Sequence, residues 1–200
     1  MATFEETFVY PLILLLIGAG VSGVLVAWLT NRWQNHRKEL EIKVDIASKI
    51  AEAVGNHLAN TNIIVNRHKK KYTEAELDAL YGNMKTWFVD HLVIRSNLNS
   101  YFPGEDIKDR WHYYSDALTA YYFATIIYFR EEVRADGKED LQGFLVRIRN
   151  YFSDKKEINW DRFTTEMTFN MDMWDAVRLL LLGRGDEIIK DVIKLPIKVF

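Results

Sequence analysis

Residues Phe8–Thr30 read FVYPLILLLIGAGVSGVLVAWLT, and this stretch determines how the rest of the chain is organised. It contains no charged residue. A helix needs about 20 apolar residues to cross a hydrocarbon core about 30 Å thick, and in lipid each backbone polar group must bond within its own segment. We therefore expect a transmembrane helix over residues 8–30, a short N-terminus over 1–7 on the extracytoplasmic side, and one domain over 31–200.

A cleaved signal peptide is the alternative interpretation of the same stretch. Such a peptide has a basic N-terminal region, a shorter apolar run and small residues at its cleavage site. Here Glu5 and Glu6 make the N-terminal region acidic, and Trp28 and Leu29 are too bulky for the cleavage site. The sequence therefore favours a retained anchor.

The flanking charges predict the orientation of the span. Arg32, Arg37 and Lys38 follow it directly, whereas only acidic residues precede it. Because Lys and Arg accumulate on the cytoplasmic side of a membrane helix, we expect a single-pass protein of the cell membrane with its C-terminal domain in the cytoplasm. The absence of cysteine fits a reducing compartment and excludes disulfides.

Small residues occupy one face of the predicted span. Ala19, Gly23 and Ala27 recur every fourth residue, and Gly18 and Ser22 lie beside them. Small residues at this spacing let two membrane helices approach closely. We expect this face to support self-association or binding to another membrane protein. The alternative is that glycine and alanine are simply common in membrane helices.

Four apolar seams follow the span, each with alternating steps of four and three residues. Such spacing keeps one apolar face of a helix toward its partners. The sequence therefore predicts an all-α fold, with an antiparallel four-helix bundle of coiled-coil type and extra short helices. The seams are Leu40, Val44, Ala47, Ala51, Val54, Leu58, Thr61 and Val65; Leu77, Leu80, Met84, Trp87, His91, Ile94 and Leu98; Ile107, Trp111, Tyr114, Leu118, Tyr121, Thr125 and Tyr128; and Trp160, Phe163, Met167, Asn170, Trp174, Val177 and Leu181.

Turn-forming residues predict where these helices begin and end. Thr73 is expected to cap the second helix. Pro103-Gly104 should separate the second from the third, and Asp136-Gly137 should end the third. Gly183-Arg184-Gly185 should end the last long helix. No proline interrupts residues 31–66, so this stretch is expected to continue the span as one helix.

The last segment, residues 186–200, is expected to form a short tail helix. Lys190 and Lys194 lie opposite apolar residues, which is typical of a segment that rests on an anionic membrane. Asp186 and Asp191 dilute this charge, so a helix that caps the bundle is the preferred alternative. A partner-binding tail is a third.

One polar group is the weak candidate for a metal site. Glu105, Asp109, His112 and Asp116 recur along one face of the third predicted helix. Di-iron bundles use a Glu-x-x-His motif on each of two helices, and this chain contains none. We therefore expect a solvated acidic face, with no metal and no cofactor. His91, in an apolar seam, is expected to be structural, as is Asn170.

Other features narrow the function. The charges nearly balance, with 26 Lys and Arg against 28 Asp and Glu, so no nucleic-acid partner is expected. The chain lacks the nucleotide-binding and hydrolase motifs. The sequence favours a non-enzymatic membrane-anchored scaffold or accessory protein that contacts the lipid bilayer and an unknown cytoplasmic partner. A transmembrane sensor or transducer is the alternative, and a metal-dependent oxidoreductase is the weakest hypothesis.

Overall fold

The computed structural model describes residues 10–66, 73–129, 135–154, 160 and 171–197. These residues form helices and turns without a strand, which confirms the all-α class and the helical bundle. The helices are α1 (Tyr10–Asn66), α2 (Glu74–Tyr101), α3 (Ile107–Phe129), α4 (Ala135–Tyr151) and α5 (Met171–Lys194).

The chain divides into two compact units, Met1–Lys43 and Val44–Phe200. The second unit contains nearly all of the buried core. Within the part of the chain that the structure describes, no helix has a segment long and apolar enough to cross a membrane. Residues 8 and 9 of the predicted span, and the side chains of 10–22, lie outside that part.

Helix α3 is the centre of the second unit. It packs against α2, α4 and α5, and from Tyr114 to Ile126 most of its side chains are buried. Three of its tyrosine hydroxyls reach backbone carbonyls of neighbouring helices. Tyr114 donates to Leu181 at 3.0 Å, Tyr121 to Trp174 at 3.2 Å and Tyr122 to Leu80 at 3.0 Å. Burial removes the water that would bond to these phenol groups, and the carbonyl oxygens replace it as hydrogen-bond partners.

The predicted seams of the second and third helices are confirmed where the structure describes them. Buried members are Met84, Trp87, Ile94 and Leu98 in α2, and Ile107, Trp111, Tyr114, Leu118, Tyr121 and Thr125 in α3. The short helix α4 likewise buries Leu141, Leu145 and Ile148. Large aromatic and aliphatic residues dominate these stripes, so their spacing identified the buried face.

The predicted seam of the first helix is wrong in part. Leu40, Val44 and Ala51 are exposed, although the seam includes them. The buried stripe keeps the alternating steps of four and three but begins one residue earlier, at Ile46 and Ile50, so it is centred on an adjacent side of the helix. Its members are Ile46, Ala47, Ile50, Ala53, Val54, His57, Leu58, Thr61 and Ile64.

The start of α2 and the turn before α3 agree with the sequence. The Thr73 hydroxyl accepts from the Glu76 backbone N–H at 3.4 Å, and the Glu76 carboxylate accepts from the Thr73 N–H at 2.9 Å. This reciprocal pair is a capping box. Gly104 has φ of 85° in the turn between α2 and α3, a conformation that glycine adopts without strain.

Two predicted helix ends are wrong. Asp136-Gly137 does not end the third helix, because α3 ends at Phe129 and α4 already begins at Ala135. Gly183-Arg184-Gly185 does not end the last helix, because α5 runs through it to Lys194. The separate tail helix over 186–200 is therefore the last part of α5 where the structure describes it, and Ile188 and Val192 there are buried.

Position 185, inside α5, is occupied by glycine because a side chain of another helix packs against its backbone. A Cβ at this position would lie 2.9 Å from the Tyr114 hydroxyl oxygen and 3.5 Å from a methyl group of Val54. The same hydroxyl donates to the carbonyl of Leu181, one turn earlier in α5. The absence of a side chain thus allows α3 to form this hydrogen bond. Packing overrides the low helix propensity of glycine here.

This close approach makes the two glycines of α5 respond oppositely to the same change. We expect Gly185→Ala to lower the free energy of unfolding by about 1–3 kcal/mol, because the added methyl overpacks the contact. Gly183→Ala should raise it by about 0.5–1 kcal/mol through helix propensity alone, since no neighbouring atom lies within 4 Å of its added Cβ. Urea unfolding of both variants of the full chain, followed by circular dichroism, checks this. Stabilisation by Gly185→Ala would contradict the packing account.

Candidate functional site

A buried histidine of α1 lies at the junction of three helices. His57 is 2% exposed, and its ring is stacked between those of Trp87 in α2 and Tyr122 in α3. The ring centroids are 4.3 Å and 4.6 Å away, respectively. Its position on α1 follows from the helical period, because His57 continues the stripe that includes Ile46, Ile50 and Ala53. The sequence predictions did not include this residue.

The His57 ring is neutral and has one free acceptor. Burial lowers the pKa of His57 to about 3, and a hydrogen bond with the Leu118 backbone opposes this shift only in part. That bond favours the protonated ring, so His57 is its donor. A neutral imidazole has one donor nitrogen and one acceptor nitrogen. Nε2 has no hydrogen-bond partner among the described residues, so Nε2 is the unpaired acceptor.

The aromatic contacts continue from His57 across α2 to α3. Trp87 donates from Nε1 to the Thr119 hydroxyl at 2.9 Å, and its ring centroid lies 6.1 Å from that of Trp111. Trp111 in turn donates from Nε1 to the carbonyl of His91 at 3.2 Å. The two indole N–H groups therefore have partners, and they fix the two rings between the helices.

His91 is the second histidine in this region, and it is half-buried. Its Nδ1 is buried without a hydrogen-bond partner in the described part of the chain. Burial is the main cause that lowers its pKa, the positive charges of His112 and Arg95 add to the effect, and Asp116 opposes it. The contacts with Trp87 and Trp111 agree with the structural role expected for His91, although its unpaired nitrogen was not predicted.

A groove runs between α1 and α2 beside His57. One cavity in it measures about 300 Å³ and an adjoining one about 310 Å³. The two share Ala53, Asn56, Thr86 and Asp90, so they form one continuous space that we call the α1–α2 groove. The first cavity is also lined by His57, Ala59, Asn60, Asn83 and Trp87, and the second by Lys49, Glu52, Val93 and Ile94.

Small and polar side chains account for this space. Ala53 and Ala59 leave room on the α1 side, and the amides of Asn56, Asn60 and Asn83 line the first cavity. Polar groups on opposing helices do not close a gap as large apolar groups do, because they retain their water. In the sequence, only a cluster of asparagines in residues 56–62 hints at this groove.

The weak metal candidates are not brought together as a site. Asp109, His112 and Asp116 are exposed on α3, and Asp116 lies 3.7 Å from a guanidinium nitrogen of Arg147. Among the residues that the structure describes, no group of three or more histidine, aspartate or glutamate side chains is arranged to hold a metal ion. The acidic face is solvated, as the sequence indicated.

Some of the residues predicted to pack the membrane helix have side chains outside the described part of the chain. The side chains of Gly18, Ala19 and Ser22 belong to the undescribed part. Gly23 and Ala27 are exposed, and a Cβ on Gly23 would meet no atom within 4 Å. The basic residues after the span are exposed as well, namely Arg32, Arg37 and Lys38.

Several other predicted features also lie outside the described residues. Asn170 is among them, and so are Phe163 and Met167 of the fourth predicted seam. The tail lysines Lys190 and Lys194 are described, and both are exposed on α5. Close to them Arg110 of α3 forms an ion pair of 2.8 Å with Asp191, which favours a capping role for this segment over a lipid-bound one.

Helix α2 also exposes apolar side chains on its solvent side. They are Tyr81, Phe88, Val89 and Leu92. Val93 is exposed as well, but it lines the α1–α2 groove. Exposed apolar groups in a row of this kind are typical of surfaces that contact other molecules. The periodicity of α2 predicted its buried face but did not indicate that the opposite face would be apolar.

His57 was missed because the seam of α1 was centred on Leu40 and Val44. A stripe centred on Ile46 and Ile50 has the same number of aliphatic residues and includes His57 seven residues after Ile50. The two stripes have the same spacing and differ only by one residue in phase, which the aliphatic pattern of α1 does not decide. With the seam one residue earlier, the sequence would have identified His57 as a buried polar residue that requires a partner.

Together the fold and the groove define an all-helical protein with a polar interhelical cavity beside a neutral, buried histidine. Comparison with protein-family models, with curated proteins and with solved structures finds no match to this chain. Its function is therefore inferred from the geometry alone.

The low pKa of His57 predicts a loss of stability in acid. The unfolded chain binds a proton below a pKa of about 6.5, whereas folded His57 binds it only near 3. The stabilisation is complete above about pH 6.5 and falls by about 1.4 kcal/mol per pH unit below it. His57→Phe, which keeps a stacked ring, should remove this part of the pH dependence.

Urea unfolding of the full chain in mild detergent at about pH 7 and about pH 5 measures this difference. His36→Phe is the matched control, because His36 is exposed on the same helix, and it should retain the wild-type pH dependence. An unchanged pH dependence in His57→Phe would show that His57 is protonated in the folded protein.

Proposed function

We propose that this chain is a membrane-anchored, non-enzymatic helical scaffold or accessory protein that acts through protein–protein contacts. The observation that carries this proposal is a run of large apolar side chains in α1, each between 50% and 72% exposed. They are Val24, Leu25, Val26, Trp28 and Leu29. At about 100° per residue these side chains span about 200° of the helix circumference, and the exposed Gly23 and Ala27 occupy the remaining side. No single contact surface within the chain therefore accounts for them. A bilayer covers such a segment on every side.

The residues that follow this run support a cytoplasmic position for the domain. The Arg32 guanidinium lies 5.3 Å from the Trp28 ring centroid, and that of Arg37 lies 5.8 Å from the Trp33 ring centroid. Tryptophan and arginine together are typical of the membrane–water interface, with the positive charges on the cytoplasmic side. These pairs fit a single pass with the N-terminus outside.

Two surfaces support a role in contacts. The small-residue face around Ala19 and Gly23 suits close helix packing in lipid, and the exposed apolar side chains of α2 are of the kind that proteins cover in complexes. Residues 102–106 form a short connection between α2 and α3, which supports an antiparallel order of these two helices in the bundle.

Filling the small-residue face should prevent self-association without releasing the protein from membranes. We expect the double variant Ala19→Leu, Gly23→Leu to have the mass of one chain in mild detergent, whereas the unchanged chain has the mass of two or more. The added side chains keep the helix backbones apart. Val24→Leu is the matched control, because it adds volume about 100° or more around the helix from Ala19 and Gly23. Light scattering of the full-length proteins gives the masses.

Carbonate extraction of native membranes separates the two parts of this proposal. Both variants and the unchanged chain should remain in the membrane pellet, because all retain the apolar run. Release of the unchanged chain would contradict the anchor. An unchanged mass for the double variant would contradict only the use of this face for association, and a partner would then be sought by cross-linking in native membranes.

A second candidate function is supported by the continuity of α1. This helix has no break from Tyr10 to Asn66, so it is helical across residues 30–40, which a transmembrane transducer requires. Its second half also contains His57, which packs against α2 and α3. A change in the first part of α1 could therefore be relayed through the helix to the packing around His57. No observation favours the metal-dependent oxidoreductase.

A proline in α1 should interrupt this relay. We expect amide hydrogen exchange of residues 44–66 to differ between bilayers of short and long acyl chains, because a change in thickness tilts or strains a span. Gln34→Pro breaks the helix between and should abolish the difference, whereas Gln34→Ala should keep it. Equal exchange of the unchanged protein in both bilayers would contradict the relay and leave the scaffold function unaffected.

A further inference from the structure

The α1–α2 groove has the size and lining of a binding site for a small molecule. Its two cavities of about 300 Å³ and 310 Å³ adjoin each other, and volumes of this order are at the lower end of those that ligands occupy. All of its lining residues belong to the unit Val44–Phe200. The site therefore goes beyond the proposed function and does not depend on the membrane segment.

The charges along the groove are predominantly negative. Asp90 lines both cavities and is half-buried. Within the described residues it has neither an ion pair nor a hydrogen bond, and the same holds for Glu52. The positive charge of Lys49 is already paired with Asp45, at 2.6 Å. A positively charged ligand would thus meet unpaired carboxylates, whereas an anion would meet their repulsion.

The two carboxylates also add hydrogen-bond acceptors to the walls. An ionised carboxylate only accepts, whereas each asparagine amide supplies both a carbonyl acceptor and two N–H donors. Independently of these, His57 lines the first cavity with a buried Nε2 that has no partner in the described part of the chain. Buried polar atoms in native structures are nearly always paired. An unpaired acceptor beside a cavity therefore indicates a donor that the protein itself does not supply.

We propose that the α1–α2 groove binds a small organic cation with several N–H donors, an alkylammonium or guanidinium compound, with Asp90 as its counter-ion. One charged end of the ligand pairs with the Asp90 carboxylate, which both cavities share. The carbonyl oxygens of Asn56, Asn60 and Asn83 accept from its other donors, beside the unpaired Nε2 of His57. A neutral polyol lacks the charge that Asp90 requires, and a carboxylate has the wrong sign.

Isothermal titration calorimetry of the full chain in mild detergent tests this assignment with putrescine and agmatine as probes. 1,4-Butanediol has the chain length of putrescine without its charge, and succinate has the opposite charge. We expect heat of binding with the two cations and none with the two controls. Asp90→Asn should weaken binding of the cations by about tenfold or more, because a charged hydrogen bond is replaced by a neutral one.

Two further variants separate binding from folding. Asp78→Asn changes an exposed carboxylate elsewhere on α2 and should bind like the unchanged chain. Asn56→Leu fills the part of the groove that both cavities share. It is expected to abolish binding while leaving the circular dichroism unchanged, because Asn56 is exposed.

The proposal is overturned if neither cation binds at about 10 mM, if butanediol or succinate binds as well as putrescine, or if Asp90→Asn binds normally. None of these outcomes affects carbonate extraction, so failure here is distinct from failure of the anchor.

Discussion

The hydrogen bonds from the tyrosine hydroxyls of α3 to backbone carbonyls are the constraint on which the packing of the second unit depends. A buried phenol that loses its water must find an acceptor, and Tyr114 and Tyr121 find theirs on α5. Burial raises the pKa of both groups, so they remain donors. Because each acceptor is a main-chain atom, the position of α5 against α3 is fixed to within a hydrogen-bond length. This position of α5 also explains why residue 185 is a glycine, since a side chain there would displace the Tyr114 hydroxyl.

The sequence predicted the fold best where large side chains repeat. The seams of α2 and α3 contain Trp87, Trp111 and Tyr121, whose burial on one face leaves little choice of orientation. In α1 aliphatic residues occur on several faces, so two stripes that are one residue apart fit the same spacing equally well. The predicted break in α5 failed for another reason. Glycine propensity is a local effect of about 1 kcal/mol, and contacts from a distant helix outweigh it.

The candidate site was less predictable because it is made by pairs of helices. His57 is buried by Trp87 and Tyr122, which come from two other helices, and the seams do not state which helices pair. The asparagines of the groove have the composition of a solvated surface, and the small residues Ala53 and Ala59 beside them on α1 leave the space that makes a cavity. What the sequence could supply was one clue, a histidine spaced as a core residue. Its unpaired nitrogen becomes evident only with the neighbours in place.

Helix α1 relates the proposed anchor to the proposed ligand. It contains both the exposed apolar run and the wall of the groove that carries His57. A cation held between α1 and α2 would favour the conformations in which these helices are paired, by a free energy set by its concentration relative to its dissociation constant. A ligand shifts an equilibrium only by the difference in its affinity for the two states. A groove that exists only while α1 and α2 are paired provides such a difference, because separating the helices removes Asn56 and Asp90 from one another. Binding in the groove and any change transmitted along α1 would then be thermodynamically coupled, each altering the other by the same factor.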